Sequence, residues 1–199
     1  MSQQKFWNSK FSRDGYLYGI NPNEFISSNI NKFKNDSNIL CLGEGEGRNA
    51  IFFAKNGFNV TAIDASDIGL SKLHFRSIEE NVKIETICID LNDYEVLDKY
   101  DVIVASYLQM YKDDREKLFK KIEDSLEKDG YFIGEFFSTK QLNYNSGGPK
   151  DVELLYTIED FAIHFNSCNK DIKEEVVVLN EGKGHQGEAC VIRVVIQKI

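Results

Sequence analysis

Three glycines alternate with two acids directly after a short apolar run, where residues 43–47 read G-E-G-E-G. The run at 38–42 has the continuous apolar character of a buried parallel strand, and helical spacing resumes after the glycines. Glycines at such a turn remove Cβ atoms where a ligand must approach the backbone, and they tolerate positive φ. The helix that follows should offer free N–H groups to a ligand carboxylate. The segment therefore predicts a binding loop at the carboxyl edge of a sheet.

The glycine loop alone is compatible with two ligands. Residues 45–50, GEGRNA, also fit the dinucleotide pattern G-x-G-x-x-G/A, so a nicotinamide oxidoreductase is one candidate. Asp64 ends the second predicted strand and does not discriminate, because an acid there can take ribose hydroxyls in either class of enzyme. Its structural alternative is an aspartate that caps the next helix.

The end of the third predicted strand is more informative. Asp90 could accept a hydrogen bond from the amino group of adenine while Leu91 contacts the ring. A dinucleotide enzyme has less use for a carboxylate at this position. The alternative for Asp90 is a plain turn, since Asn92 and Asp93 follow. Taken in order, the glycines, Asp64 and Asp90 favour S-adenosylmethionine (SAM) as the cofactor. A nicotinamide enzyme is further disfavoured because the chain has no Tyr-x-x-x-Lys pair.

The elements that must position these residues alternate in βαβα order. Strands are predicted at 38–42, 58–63, 83–89, 100–106 and 131–137, and helices at 49–56, from Ser66 to about 81, and around 113–127. Such alternation forces right-handed crossovers and a mostly parallel sheet with helices on both faces. A turn at 128–130 should lead into the fifth strand, and Gly57 should follow the first helix as its C′ residue.

The remainder of the chain departs from that alternation. A helix is predicted at 157–166, capped by Thr157, and strands at 173–179 and 189–197 flank the glycine-rich connection 181–187. These two strands should form an antiparallel hairpin at one edge, which completes a seven-stranded sheet. We expect one domain over 1–199, with an aromatic N-terminal cap at 1–36, a cofactor-binding half at 37–137 and an acceptor-side half at 138–199.

Composition sets the class of partner. Lys+Arg 24 against Asp+Glu 32 gives a net charge of −8, which argues against a nucleic-acid backbone or an anionic membrane as the main partner. Four cysteines without a CxxC are expected to be free thiols, three of them in buried apolar runs, and no metal ligands are expected. With no apolar leader at the start and no membrane-length run, a cytoplasmic location is expected. A homodimer is left open.

Two segments of the chain resemble a known family. Residues 39–54 (ILCLGEGEGRNAIFFA) and 60–66 (VTAIDAS) are similar to the first motif and its successor in class I SAM-dependent methyltransferases. Within that superfamily, GEGRNA, the segment YGINPN at 18–23 and the tail from His185 to Arg193 resemble the tellurite-resistance, TehB-like branch. The resemblance implies a Rossmann-like α/β fold and an enzyme that moves a methyl group from SAM to a small acceptor. The implied cofactor contacts are Gly43, Glu44, Gly45, Gly47, Arg48, Asn49, Asp64, Ala65, Asp90, Leu91 and Ser106.

The chain departs from the family pattern at three positions. Most class I enzymes have an acid where this chain has Cys41, so the support of the loop must be arranged differently or be weaker. Lys10 stands where the family usually has an arginine, which keeps the charge but loses the bidentate fork. Gln186 stands where tellurite enzymes have a second arginine, which weakens tellurite as the substrate. Cys41 and Lys10 keep a SAM-binding module without turnover as an alternative.

The acceptor side is assigned to His185, Arg193 and Tyr18 as catalytic residues, with Tyr107 as a further candidate. Methyl transfer is an in-line displacement that depends on positioning and desolvation, and it needs no covalent intermediate. An amine or alcohol acceptor would require a general base, whereas a thiolate or a chalcogen oxyanion would depend on cationic clamps. Arg193 lies in an apolar strand, so it is either paired with a carboxylate or faces an anion. The aromatic residues of the cap either pack or form a lid over the sulfonium.

Overall fold

The structure is a computed structural model that describes residues 2–95 and 98–199. Its strands are β1 (Asn38–Leu42), β2 (Asn59–Asp64), β3 (Glu85–Cys88), β4 (Tyr100–Ser106), β5 (Leu126–Phe137), β6 (Cys168–Glu181) and β7 (His185–Lys198). They form one seven-stranded sheet in the order β3-β2-β1-β4-β5-β7-β6. The first five strands are parallel, and β7 runs antiparallel to both β5 and β6. The predicted sheet and its closing hairpin are confirmed.

Helices cover both faces of this sheet. They are α1 (Gln3–Phe11), α2 (Glu24–Ser28), α3 (Arg48–Lys55), α4 (Asp67–Glu79), α5 (Lys112–Ser125) and α6 (Ile158–Ala162). Successive side chains of β1 point to opposite faces, so Cys41 packs with α3 and α4 while Leu40 packs with α5 and α6. A strand buried on both faces must be apolar throughout, which explains why β1 is predicted correctly from the sequence.

Local capping fixes where several helices begin and end. The Ser66 hydroxyl accepts the Gly69 N–H at 3.0 Å and starts α4, as predicted. Gly57 follows the end of α3 with φ 86°, which confirms its C′ position. Thr157 and Asp160 form a reciprocal capping box that starts α6. The predicted end of α6 at residue 166 is wrong, because the helix ends at Ala162 and Phe165 takes φ 59°.

The strands of the second half are longer than their apolar runs. β6 and β7 have 14 residues each, and their pairing continues to Glu181 opposite His185. The predicted glycine-rich loop is therefore wrong in length, since only residues 182–184 remain as the turn. The antiparallel ladder extends past the core because its outer strand is solvent-exposed and needs no apolar sequence. The predicted turn at 128–130 is likewise an irregularity within β5, which begins at Leu126.

The residues before β1 fold against the parallel half of the sheet. The Asn8 side chain donates to Asp67 at 2.8 Å and accepts from the Ser66 hydroxyl at 2.6 Å, which ties α1 to the start of α4. Near the hairpin turn, the Gly184 N–H donates to the Leu17 carbonyl at 3.0 Å. Within 2–95 and 98–199, no helix is both long and apolar enough to cross a bilayer. The division into a cap and two halves stays a prediction, and its first residue, Met1, lies outside the described residues.

Gly47 and Gly57 provide a matched test of packing in the glycine loop. Both have positive φ, but a Cβ at Gly47 would lie 2.4 Å from Cγ of buried Leu73, whereas a Cβ at Gly57 would meet open space. We expect Gly57→Ala to lower the free energy of unfolding by about 1 kcal/mol through backbone strain. Gly47→Ala should lower it by roughly 1–3 kcal/mol more through overpacking. Urea denaturation of both variants measures the difference, and equal losses would contradict the packing at Gly47.

Candidate functional site

One continuous groove runs along the carboxyl ends of the parallel strands. It consists of two adjoining cavities that share Trp7, Gly43, Asp64, Leu108 and Gln109 in their walls. The chain leaves β1 towards β2 on one side, while β4 lies on the other, so the groove sits at the topological switch point of the sheet. Ligands of open α/β sheets bind at this point, which makes the groove the candidate site.

Two carboxylates line the part of the groove next to β2 and β3. Asp64 accepts the Gly45 N–H at 2.8 Å through one oxygen and the Ser66 N–H at 2.7 Å through the other. Its burial raises the pKa to about 6 in spite of these hydrogen bonds. One oxygen of Asp90 accepts the Asn92 N–H at 3.0 Å, and the other has no hydrogen bond to a described residue. Both acids form turns and line the groove. The turn considered for Asp90 is confirmed, the helix cap considered for Asp64 is wrong because Ser66 caps α4, and the ligand contacts of both acids stay predictions.

The start of α3 is occupied by a side chain of the glycine loop itself. One oxygen of Glu44 accepts the N–H groups of Asn49 and Ala50, both at 2.8 Å. The expectation that these N–H groups are free for a ligand carboxylate is therefore wrong, because Glu44 supplies the anion. Burial raises the pKa of Glu44 to about 7, against the opposing effect of those hydrogen bonds and of nearby Arg48. Glu44 supports the loop in a chain that has a buried thiol at Cys41.

Glu46 joins the same loop to the N-terminal segment. Its carboxylate accepts the Leu17 N–H at 2.7 Å and pairs with Lys72 at 2.7 Å, and the Lys72 ammonium also donates to the carbonyl of Gly15. Trp7 lines both cavities of the groove. These contacts place the N-terminal segment against the glycine loop, where Trp7 lines the groove, and the lid over the sulfonium stays a prediction.

The opposite end of the groove is built around His185. Its ring lies among three aromatic rings, with centroid distances of 4.3 Å to Tyr18, 4.4 Å to Tyr107 and 5.0 Å to Phe137. Nδ1 lies 3.2 Å from Glu181, and Nε2 has no hydrogen bond to a described residue. Burial lowers the pKa of His185 and raises that of the Tyr18 phenol to about 12. At neutral pH the site therefore holds a neutral imidazole beside a protonated Tyr18 phenol.

Behind this end lies a buried network of charges. Both terminal nitrogens of Arg48 contact the Glu181 carboxylate, at 3.0 and 3.1 Å. The Asn23 amide donates to Glu181 at 3.0 Å and to Glu135 at 2.7 Å, and Glu135 also accepts the Tyr107 hydroxyl. Burial acts to raise the pKa of Glu181, but the hydrogen bond from His185 and the charge of Arg48 hold it below its usual value. The network keeps Glu181 ionised next to the imidazole.

The groove brings together most of the predicted site residues. Those that line it are Tyr18, Gly43, Glu44, Gly45, Gly47, Arg48, Asp64, Ala65, Asp90, Leu91, Ser106 and His185. Asn49 lies behind the loop, where its amide donates to the Ser106 hydroxyl at 3.2 Å. The roles assigned to these residues stay predictions.

Arg193 is separated from the other predicted catalytic residues. It does not line the groove, and its guanidinium contacts Glu135 at 2.6 Å and Glu175 at 3.0 Å. The sequence predicts that Arg193 is either paired with a carboxylate or faces an anion, and in the structure it is paired with two carboxylates. The expectation that Arg193 reaches the acceptor is corrected accordingly.

Sequence reasoning missed Asn23, Glu135 and Glu181. The signal for Glu135 was present, because one charge interrupts the apolar run of β5 and another, Arg193, interrupts that of β7. The two residues are direct partners in the β5–β7 ladder. The sequence predicts a loop at Glu181, and a loop gives no reason to expect its contact with His185 four residues later. Among the described residues no three His, Cys, Asp or Glu side chains are grouped as metal ligands.

Comparison with known proteins agrees with this geometry. Residues 16–142 match the family described as "Tellurite resistance protein TehB". The chain belongs to this family. A probable SAM-dependent methyltransferase TehB from Haemophilus influenzae is 29% identical over 96 residues, which cover 47% of this chain and 33% of that protein. The match thus spans about a third of the length of that family member.

Two solved structures share the fold. The crystal structure of TehB from Haemophilus influenzae superposes on this chain with a TM-score of 0.73 at 16% identity. The alignment covers 100% of this chain and 68% of the TehB chain. The N-methyltransferase NodS from Bradyrhizobium japonicum, in complex with S-adenosyl-L-homocysteine (SAH), superposes with a TM-score of 0.73 at 11% identity. That alignment covers 100% of this chain and 99% of NodS. The Rossmann-like methyltransferase fold is therefore confirmed.

The raised pKa of Glu44 predicts a specific pH dependence of stability. The pKa is about 7 in the folded chain against an ordinary value of 4.5, so the folded chain holds the proton more tightly than the unfolded chain. The contribution of Glu44 to the free energy of unfolding should therefore fall by about 3 kcal/mol as the pH rises from about 4.5 to about 7. Glu44→Gln keeps an oxygen for the two N–H groups and should remove this fall.

Urea denaturation at several pH values measures this effect. Asp64 remains in the variant and retains its own smaller decline, since its pKa is also raised. Glu116→Gln makes the same charge change on the exposed face of α5 and should leave the pH profile as in the wild type. Parallel profiles for Glu44→Gln and the wild type would contradict the raised pKa of Glu44.

Proposed function

We propose that this chain is a SAM-dependent methyltransferase that acts on a small acceptor. The observation that carries the proposal is the continuity of the groove, which links Asp90 at one end to His185 at the other past the glycine loop. SAM is an extended molecule that needs acceptors for an adenine amine and two ribose hydroxyls at one end and close backbone at the other. The residues of the groove fit these needs in this order.

The walls of the groove suggest which residues would hold SAM. Asp64 would accept the ribose hydroxyls, Asp90 the adenine amine, and Leu91 would contact the adenine ring. The glycine loop would hold the methionine part, and the face of Trp7 is suited to a sulfonium cation. The name of the Haemophilus influenzae relative and the SAH bound to NodS support this proposal.

When bound, SAM supplies a methyl group activated by a positively charged sulfur. The aromatic residues around His185 would exclude water and confine the acceptor. His185 lines the same cavity, and its Nε2 has no hydrogen bond to a described residue, so His185 is our proposed general base for an acceptor that carries a proton. Tyr18 stays protonated and would donate a hydrogen bond to the acceptor. A cytoplasmic location and a homodimer remain predictions.

Ligand titration and a transfer assay test the proposed function. We expect calorimetry to detect binding of SAM and SAH but not of NADH, and labelled SAM to transfer its methyl group to at least one small acceptor. Binding of NADH without binding of SAM would overturn the methyltransferase. Binding of SAM without transfer to thiols, amines or chalcogen oxyanions would favour a SAM-binding module without turnover.

The proposed adenine contact is tested by Asp90→Asn with Asp93→Asn as its control. Both residues belong to the turn after β3, but only Asp90 lines the groove. Asparagine at position 90 can still accept the Asn92 N–H, yet it would present an amide N–H₂ to the adenine amine. We expect the Kd for SAM to rise roughly tenfold or more in Asp90→Asn and to stay unchanged in Asp93→Asn. Equal affinity of the two variants would refute the role of Asp90.

A further inference from the structure

The acceptor end of the groove has no uncompensated positive charge. Arg48 is the single lysine or arginine that lines this cavity, within the part of the chain that the structure describes. Its two terminal nitrogens are both engaged by Glu181, and the side chains of both partners are about nine-tenths buried. The other nearby guanidinium, Arg193, contacts both Glu135 and Glu175. Three carboxylates thus face two guanidinium groups.

This balance of charge disfavours an anionic acceptor. An oxyanion that enters a closed cavity loses its hydration and needs charged hydrogen-bond donors in exchange. Here Arg48, the one cationic donor that the described residues contribute to the cavity, is already committed to a carboxylate, and it contacts Glu181 behind the cavity wall. His185 and Tyr18 both line the cavity, and His185 Nε2 and the Tyr18 hydroxyl have no hydrogen bond to a described residue. These neutral groups suit a neutral acceptor with a proton to give.

We propose that the acceptor is a small neutral thiol, and that Glu181 is a positioning residue that holds the His185 ring with Nε2 towards it. This inference rests on the proposed methyltransferase function and narrows it. An alkylamine is protonated at neutral pH, so its nitrogen has no lone pair for the methyl carbon, and with a pKa near that of lysine, about 10.4, it is too weak an acid for a histidine to deprotonate readily. An alcohol is too weak an acid for a histidine to deprotonate readily, whereas a thiol has a pKa of about 8.5 and is the closest match.

The transfer step balances without any further reactant. The acceptor sulfur bonds to the methyl carbon as the bond from that carbon to the sulfur of SAM breaks. The electrons of the broken bond stay on the sulfur of SAM. The thiol proton passes to Nε2 of His185. The products are a methyl thioether, SAH and an imidazolium that the Glu181 carboxylate stabilises at Nδ1, until the proton is released to solvent.

The acceptor class is tested on the wild-type protein with separate reactions of 2-mercaptoethanol and sodium selenite, scored by the release of SAH. We expect turnover with the thiol and none with selenite. 2-(Methylthio)ethanol, whose sulfur carries a methyl group in place of the thiol proton, should be inert. If His185 takes the proton, kcat should stay nearly constant from pH 7 to 9. If thiolate from solution reacts instead, the rate should rise about tenfold per pH unit below the thiol pKa.

Two binding measurements test the charge balance without turnover. Calorimetric titration of selenite into the wild-type protein with SAH should show no binding. Glu181→Gln should bind selenite, because it frees the Arg48 guanidinium at the cavity wall. Glu188→Gln makes the same change at an exposed position of the same hairpin and should behave as the wild type. Binding of selenite to the wild-type protein at micromolar Kd would overturn the inference.

The positioning role of Glu181 has its own readout. Nitrogen NMR of the His185 ring should show the proton on Nδ1 in the wild type and in Glu188→Gln, and a loss of this preference in Glu181→Gln. The kcat with thiol should fall at least about tenfold in Glu181→Gln with a small change in the KM for SAM. Wild-type tautomer and kcat in that variant would refute the role.

The outcomes separate the two proposals. Failure of the wild-type protein to bind SAM would overturn the methyltransferase function itself. Binding of SAM with methylation of selenite but not of the thiol would leave that function intact and overturn the thiol acceptor.

Discussion

The buried carboxylate of Glu181 joins three distant parts of the chain. It accepts hydrogen bonds from Arg48 at the start of α3, from Asn23 at the start of α2 and from His185 at the start of β7. An ionised carboxylate away from water lowers the stability of the fold unless its oxygens accept enough hydrogen bonds. All three donors must therefore be in place around Glu181 in the folded chain. The closing hairpin therefore has to be long enough to carry Glu181 to the groove, and this requirement determines where the acceptor end lies.

The carboxylates of the site divide into two groups with different electrostatics. Glu44 accepts two backbone N–H groups of α3, Asp64 accepts those of Gly45 and Ser66, and both acids have raised pKa values because burial outweighs these hydrogen bonds. Glu181, in contrast, is compensated by a guanidinium and an imidazole, and its pKa is lowered. The buried carboxylates of the loop end thus carry a cost in stability when ionised, while the charge of Glu181 at the acceptor end is compensated. Such preorganisation is what a reaction governed by alignment requires.

The sequence was informative wherever one local pattern decides the structure. β1 and β4 occur at their predicted bounds, and Ser66 caps α4, because burial on both faces and capping each leave a short signature. The length of β6 and β7, the capture of the α3 N–H groups by Glu44 and the pairing of Arg193 depend on register and side-chain direction in three dimensions. Two of these features, the length of the hairpin and the pairing of Arg193, belong to the second half of the chain, which explains why most of the first half is easier to predict.

The turn of the hairpin is pressed against the N-terminal segment. A Cβ at Gly182 would lie 2.3 Å from the Gly19 backbone nitrogen, and a Cβ at Gly19 would lie 3.2 Å from the Gly182 nitrogen. Neither position can gain a side chain unless the other segment moves. The two segments must consequently evolve as a unit, and a lineage that acquires a bulkier turn has to rebuild its N-terminus at the same time. Diversification by single steps is then left to side chains that line the groove and have no proposed contact with SAM, such as Gln109.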